Sequence, residues 1–392
     1  MRNLLLIIFF LFIPLILFAD NEEETQHDPL QANNRTVEIG FLKTRIGFSN
    51  NYLKFNSIFK ERIEINLNKL DAGLKFNFDL GIIPLYFSYN YDDLWGFGFS
   101  YGVDTTGNID ISGNLLTLGS AVSEASQINA AIFTQAKFSS FFIYNDIKIK
   151  INPSIFYPVL YIGGEPAVLY SMNNIASSMA VELKYQILVY TAFDTNKDKL
   201  KLTASPGVDF HLGAEYQLPE KPNMLVGLDI INLPLIPSSM KHFMKMTGQI
   251  GDGIPLTYEN IADMVFDIED PVYGNKKRYI LRPFKLLTWL EWEPYEEVPF
   301  ILTPTLGFAL NPLFHNYFSL EIGVKALYNL NNLFKPSLSI GYHDRLWKNN
   351  LDMALIINYF EFNFGLDMYA HNFLKSFQGY GLGINIGFKI SY

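Results

Sequence analysis

Tyr380-Gly-Leu-Gly-Ile-Asn-Ile-Gly-Phe-Lys-Ile-Ser-Tyr392 closes the sequence, and its period decides the fold class. Tyr380, Leu382, Ile384, Ile386, Phe388, Ile390 and Tyr392 occupy every second position, and Gly381, Gly383, Asn385, Gly387, Lys389 and Ser391 fill the others. Successive side chains of a strand point to opposite faces, so this segment has one wholly apolar face and one small or polar face. It is long enough to cross a bilayer as a tilted strand, which takes about 9–11 residues.

The same alternation recurs upstream. Phe318, Leu320, Ile322, Val324 and Ala326 alternate with Ser319, Glu321, Gly323 and Lys325, and Phe360, Phe362, Phe364, Leu366 and Met368 with Glu361, Asn363, Gly365 and Asp367. Met179 to Val189, Val208 to Tyr216 and Ala72 to Leu80 follow the same rule. These runs exceed the ~5–6 residues of an average soluble strand. A soluble sandwich also alternates, with its apolar face inward; a transmembrane barrel turns that face toward lipid and its polar face toward a wet lumen. Strand length, an exported front end and the terminal aromatic favour the barrel. The expected fold is all-β: a single antiparallel transmembrane β-barrel of about 14 strands (12–16), with one long partly helical loop. An even strand count places both termini on one side of the membrane.

Residues 1–19 read as a signal peptide. Arg2 supplies the positive charge, Leu4 to Phe18 the apolar run, and Ala19 the cleavage residue before Asp20. Residues 20–35 form a polar, acidic tail, and 36–392 the barrel. Leu53 to Leu70 settles on no period. Residues 232–277 are the longest interruption. Met240, Phe243 and Met244 stand at helical spacing, as do Ile261, Met264, Val265 and Ile268, so two short amphipathic helices are predicted here. Turns are predicted at Asp104–Asn108, Asp194–Asp198, Pro219–Pro222 and Asn329–Asn332.

The chain has no Cys, which excludes disulfides, thiolate metal sites and an N-terminal lipid anchor. Its net charge of −9 gives no reason to expect nucleic acid as a partner. Aromatic residues make up 16%, a supply that suits the two interfacial girdles of a barrel. Gly98-Phe-Ser-Tyr-Gly102 matches the nucleophile-elbow pattern, but the alternation of Phe97, Phe99, Tyr101 and Val103 runs straight through it, whereas an elbow needs a strand-to-helix turn. Gly379-x-Gly-x-Gly383 precedes no helix and reads as the smooth face of the last strand. The six His residues form no close pair at ligand spacing. His211 beside Asp209 and Glu215 could be cast as part of a catalytic set; a lumen hydrogen-bond network is the plainer reading. No enzyme, cofactor or metal is expected. Glu182, Lys184, Asp209, Glu215, Glu321, Lys325, Glu361, Asp367 and Lys389 are assigned to the polar lumen face. Their mixed signs suit paired charges filling a lumen, or a weakly selective channel.

Val37-Glu-Ile-Gly-Phe41, Gly47-Phe-Ser-Asn-Asn-Tyr-Leu53, Ile65-Asn-Leu-Asn-Lys-Leu70, Trp95-Gly-Phe-Gly-Phe99 and Gly379-Tyr-Gly-Leu-Gly383 resemble segments of a family of outer-membrane barrels found in spirochetes. That family is similar in outline to FadL-type long-chain fatty-acid transporters and their PorV-like relatives. The terminal aromatic strand likewise resembles the C-terminal signature of outer-membrane barrels. The resemblance implies about fourteen strands, an N-terminal plug, extracellular helical loops that capture lipid, and a place in the cell outer membrane. It also implies outer-membrane lipid and the barrel-assembly machinery as partners. The Asn-Pro-Ala of the FadL plug is missing, and no binding residue of that family is carried over. The expected function is passage of small hydrophobic molecules. Met240, Phe243, Met244, Ile261, Met264 and Val265 would form the ligand-binding surface, because Met and Phe adapt to irregular apolar partners. The alternatives are a closed structural or adhesive surface barrel and a general diffusion porin.

Overall fold

A computed structural model describes residues 37–52, 54, 73–91, 94–111, 127–163, 168–175, 178–194, 201–250, 266–268, 270–295, 298–313 and 318–392, of which 168–185, 201, 248–250 and 266–268 are described by their backbone alone. The predicted signal peptide, the polar tail, nearly all of Leu53 to Leu70, and Ile261, Met264 and Val265 lie outside the described residues.

The chain forms a closed 14-strand antiparallel barrel. Its first staves are β1 (Val37–Asn50), β2 (Leu74–Tyr91), β3 (Trp95–Ile111) and β4 (Gln127–Tyr144). Four staves are then built from two segments laid end to end. β5 (Ile147–Ile162) continues as β6 (Val168–Ile175). β7 (Ser178–Thr191) gives way to a small hairpin, β8 (Phe193–Asp194) and β9 (Lys201–Leu202), before the stave resumes as β10 (Gly207–Gln217). β11 (Met224–Ile236) continues as β12 (Ser238–Ile250), and β14 (Val272–Ile280) as β15 (Phe284–Trp292), with β13 (Phe266–Ile268) paired to the far end of β12. The remaining staves are β16 (Phe300–Leu310), β17 (Phe318–Tyr328), β18 (Phe334–His343), β19 (Leu346–Ile357), β20 (Phe360–Ala370) and β21 (Gly381–Ser391).

The ring closes where β21 pairs with β1, Ile384 opposite Ile46 and Phe388 opposite Phe41. Val37 and Tyr392 exchange backbone hydrogen bonds of 2.9 and 2.8 Å, so the two ends of the described chain lock each other. Both lie at the end of the barrel that carries the tight connections. One of these is the two-residue turn Asn145-Asp146, with φ 49° and 63°. Both central residues of a type I′ turn need φ > 0, which Asn and Asp tolerate best. The opposite end carries the longer connections, as outer-membrane barrels do on their external side.

The apolar faces point outward. Along β17, Phe318, Leu320, Ile322 and Val324 are exposed while Ser319 and Glu321 are buried. On β21, Ile384 and Ile386 are exposed, and Lys389 and Ser391 are buried. Apolar outside and charged inside is the arrangement lipid imposes, so the barrel is a transmembrane one. Aromatics gather at the tight-turn end: Tyr91 stacks on Trp95 at 5.6 Å, and Tyr359 lies 5.6 Å from Tyr392.

Two sequence readings need correction. The described residues of 232–277 are mostly strand: β11 and β12 run through residue 250, and β14 starts at Val272, so the first predicted helix, around Met240 to Met244, is strand instead. The ladder between β12 and β14 is bulged here: Lys276 and Lys277 of β14 stand opposite the single Lys241 of β12, and Met240 and Phe243 both reach one cluster. Their helix-like spacing belongs to a strand that pairs with a bulged neighbour. Asp104–Asn108 is no turn but the middle of β3. Its polar residues face a polar lumen, where they need not end a strand; Gln135 donates to Asp104 at 2.5 Å. The predicted turns Pro219–Pro222 and Asn329–Asn332 do connect strands, and Asp194–Asp198 lies mostly outside the described residues. The single described helix is α1 (Phe373–Ser376), capped by the Asn372 side chain.

Candidate functional site

Strand alternation turns the charges into the lumen, where they are held in pairs. Lys389 sits between Glu361 (3.2 Å) and Glu38 (3.3 Å). Arg45 lies 3.0 Å from Asp79 and 3.8 Å from Asp367. Asp367, fully buried, also accepts hydrogen bonds from Asn350 (2.6 Å) and the Tyr369 hydroxyl (2.5 Å). Glu321 meets Lys285 at 3.8 Å, His343 at 2.9 Å and the Ser319 hydroxyl at 3.0 Å. Glu215 pairs with Lys150, and Asp209 with Arg282 at 2.6 Å. Burying a charge is costly unless it is paired, and each of these acids has a cationic partner within 4 Å. Lys325 lines the central cavity. Glu182 and Lys184 sit in β7, with side chains outside the described residues. The glycines on the inner face of β21 make room for Tyr369: a Cβ on Gly383 would stand 2.7 Å from its hydroxyl.

His211 does not join Asp209 and Glu215 into one constellation. It bonds to Asp229 at 3.0 Å, and the Trp289 indole N–H also donates to Asp229 at 2.7 Å. Among the described residues no group of His, Asp and Glu is placed to hold a metal ion.

Within this charged lining lies a cavity of about 620 Å³. Residues from every stave touch it: Arg45, Ser88, Asp104, Gln135 and Ser154 from β1 to β5, Asp209 from β10, Asn232 from β11, Arg282 between β14 and β15, and Thr305 to Lys389 from β16 to β21. Its size falls in the range of small-molecule sites.

Toward the long-loop end the inner face changes character. On β5 the inward series Lys150, Asn152, Ser154 gives way to Phe156, and on β4 Gln135 gives way to Phe133 and Ala131. Phe133, Phe156, Tyr161, Leu188, Tyr190, Met240 and Ile280 form one buried apolar cluster, with Tyr157, Phe193, Ala204 and Phe243 packed against it. The β8–β9 excursion is pinned beside it. The Thr203 N–H donates to Ala192 O at 2.7 Å, the Ala192 N–H to Val159 O at 2.9 Å, and the Tyr157 hydroxyl to Ala204 O. Of the residues assigned to ligand binding, Met240 is wholly buried inside this cluster, Phe243 flanks it 5.8 Å from Tyr190, and Met244 is buried outside it. Ile261, Met264 and Val265 are not described. Two arginines bracket the cluster. Arg278 lies 4.8 Å over the Tyr161 ring and donates to its hydroxyl at 3.1 Å, and Arg282 lies 5.1 Å over the Phe156 ring.

Sequence reasoning missed Arg282 and the aromatics Phe133, Phe156, Tyr161 and Tyr190. The available signal was the switch from polar to apolar along one parity of β4 and β5.

No protein-family model and no curated protein sequence matches the chain. Solved structures do. The chain is similar to the P. putida toluene transporter TodX, with a TM-score of 0.51 and 9% identity over 92% of this chain and 91% of that one. A deltaS2S3 mutant of TodX, a monoaromatic hydrocarbon channel, gives 0.51 and 10% identity over 91% and 90%. A P. aeruginosa FadL homologue gives 0.47 and 9% identity over 92% and 90%. At such identities the likeness to TodX is one of fold, and it spans nearly the whole of both chains.

Proposed function

We propose that this chain is an outer-membrane barrel that passes small, mainly apolar molecules through its lumen. One observation carries the reading: a buried apolar cluster of Phe, Tyr and Met side chains meets, through Arg282 over Phe156, an unfilled cavity of about 620 Å³. A barrel acting only as a surface scaffold gains nothing from such a void, because each unfilled space forfeits packing. A general diffusion porin needs a wet path throughout, which the apolar cluster interrupts. The description of TodX as a toluene transporter supports the same reading by analogy of architecture. In this proposal residues 1–19 direct export, the barrel-assembly machinery inserts the chain, the tight-turn end faces the periplasm, and solute enters from the long-loop end past Phe243.

The test is direct binding. Detergent-purified barrel is dialysed against radiolabelled toluene and, separately, a long-chain fatty acid. Saturable binding by the wild type that falls at least tenfold in Phe243→Asp, with the variant still heat-modifiable on a gel, is the expected result. The change removes apolar contact worth about 1.5–3 kcal/mol and adds a charge. A wild type that binds neither probe overturns the apolar-substrate reading.

A further inference from the structure

We propose that Arg282 is the bolt that keeps the passage shut, holding the outer sheet of β6, β7, β12 and β14 down on the barrel body. This rests on the lumen being the route, and it concerns what closes that route. Three neighbouring staves break at nearly one level: between β7 and β10, between β11 and β12, and between β14 and β15. The level is marked by Ser205, whose N–H donates to Ser239 O at 2.8 Å, by Ser238 opposite Ile280, and by Gly207 opposite Phe156. Outward of the breaks, β6, β7, β12 and β14 pair with one another in that order, and β14 has no strand recorded on its other side among the described residues. The outer sheet is therefore joined to the body by the short β5–β7 ladder, Leu160 to Ile162 opposite Thr191 to Val189, which can serve as a hinge, and elsewhere across a line of interrupted ladders.

Arg282 is mounted on that line, in the unpaired segment 281–283. It is buried, and it reaches past β11 to staves on the other flank. Its Nε and Nη2 donate to both oxygens of Asp209 on β10, at 2.8 and 2.6 Å. Nη2 also donates to the Ser154 hydroxyl on β5 at 2.6 Å, and Nη1 donates to Gln135 on β4. Asp104 on β3 lies 4.0 Å away. A bidentate guanidinium–carboxylate pair fixes orientation as well as distance. The apolar cluster is assembled across the same divide, Phe133, Phe156 and Tyr161 from β4 and β5, Met240 and Ile280 from β12 and β14. As long as Arg282 spans the two groups, the packed cluster stays closed over the cavity that Arg282, Asp209, Ser154 and Gln135 themselves line. Arg278 makes a second, uncharged tie to β5 through Tyr161 on the outer side of the cluster.

The experiment compares wild type, Arg282→Ala and the double variant Arg282→Met with Asp209→Asn, each checked for heat-modifiable folding and each reconstituted in phosphatidylcholine bilayers for single-channel recording. Breaking a buried ion pair typically shifts an equilibrium by on the order of a hundredfold or more. The wild type is expected to be closed for almost all of the record, and Arg282→Ala to raise open-state occupancy by about that factor. Should Arg282→Ala fail to fold, the double variant decides, since it leaves no unpaired buried carboxylate; folded and open supports the bolt, folded and closed overturns it. A wild type that conducts freely, or a folded Arg282→Ala that records as the wild type does, also overturns it. Toluene binding is measured on the same samples. An open variant on a background that binds no toluene keeps the bolt and rejects the apolar substrate, whereas toluene binding with unchanged current does the reverse.

Discussion

Asn385 and Ile386 are adjacent in sequence and face different solvents. Ile386 is exposed on the outer face of β21, and Asn385 turns inward, its amide donating to Asp367 at 3.4 Å. Lipid offers a cation no hydrogen-bond partner, while the lumen offers carboxylates. Ile386→Arg should therefore cost about 2–4 kcal/mol if the residue lies near the bilayer midplane, and Asn385→Arg, which adds a cation beside Asp367, should stay within about 1 kcal/mol of wild type. Urea-unfolding midpoints in lipid vesicles measure both. Equal losses at the two positions would remove the inside–outside assignment of this strand. The same residue scale explains why a buried lysine is tolerable here. Lys389 spans Glu361 and Glu38, carboxylates contributed by β20 and β1, so it joins three consecutive staves at the seam where the ring closes.

Elements were legible in the sequence wherever one parity was apolar and the other polar for their whole length. β7, β10, β17, β20 and β21 were read to within a few residues of their ends, because lipid on one side and charge on the other enforce a strict period of two. The reading failed at β12, where Met240 and Phe243 mimic helical spacing in a strand whose neighbour β14 is bulged, and in β3, where Asp104-Thr-Thr-Gly-Asn108 has turn composition but Asp104 finds a partner in Gln135. It also passed over the two-residue turn Asp344-Arg345, with φ 46° and 70°, because Arg is not a residue that advertises a left-handed conformation. The terminal aromatic Tyr392 lies at the β1–β21 seam. It exchanges both backbone hydrogen bonds with Val37 and packs near Tyr359, so it finishes the β1–β21 seam. Deleting Tyr392 should lower the yield of heat-modifiable barrel in the outer-membrane fraction severalfold while total expression is unchanged. An undiminished yield would show that the seam closes without its last residue.

At the scale of the whole molecule, alternation told which residues face inward but not what the inside contains. Lumen contents depend on which staves meet across the barrel, and that is set by strand number, stagger and tilt, none of which is a local property of the sequence. The charges at Asp209, Glu215, Glu321, Glu361, Asp367 and Lys389 could be placed on the inner wall; that Arg282 ties Asp209 to Ser154 and Gln135, that aromatics from β4, β5, β7 and β12 converge in one cluster, and that a cavity of about 620 Å³ remains could not. That cavity gives the route its most direct test. Gly387 lines it from β21, and a Cβ there would meet nothing nearer than Lys43 Cγ at 3.5 Å, an ordinary van der Waals contact. Gly387→Trp therefore adds bulk to open space without displacing backbone, unlike a change at Gly383, where the Tyr369 hydroxyl stands in the way. Folding, read by heat modifiability, should match the wild type. Uptake of labelled toluene by cells relying on this barrel should fall severalfold, because the indole occupies part of the central cavity on the proposed route. Uptake at the wild-type rate with the tryptophan in place would mean that solute leaves the barrel before it reaches the cavity, and the passage would have to be sought in the wall beside the apolar cluster.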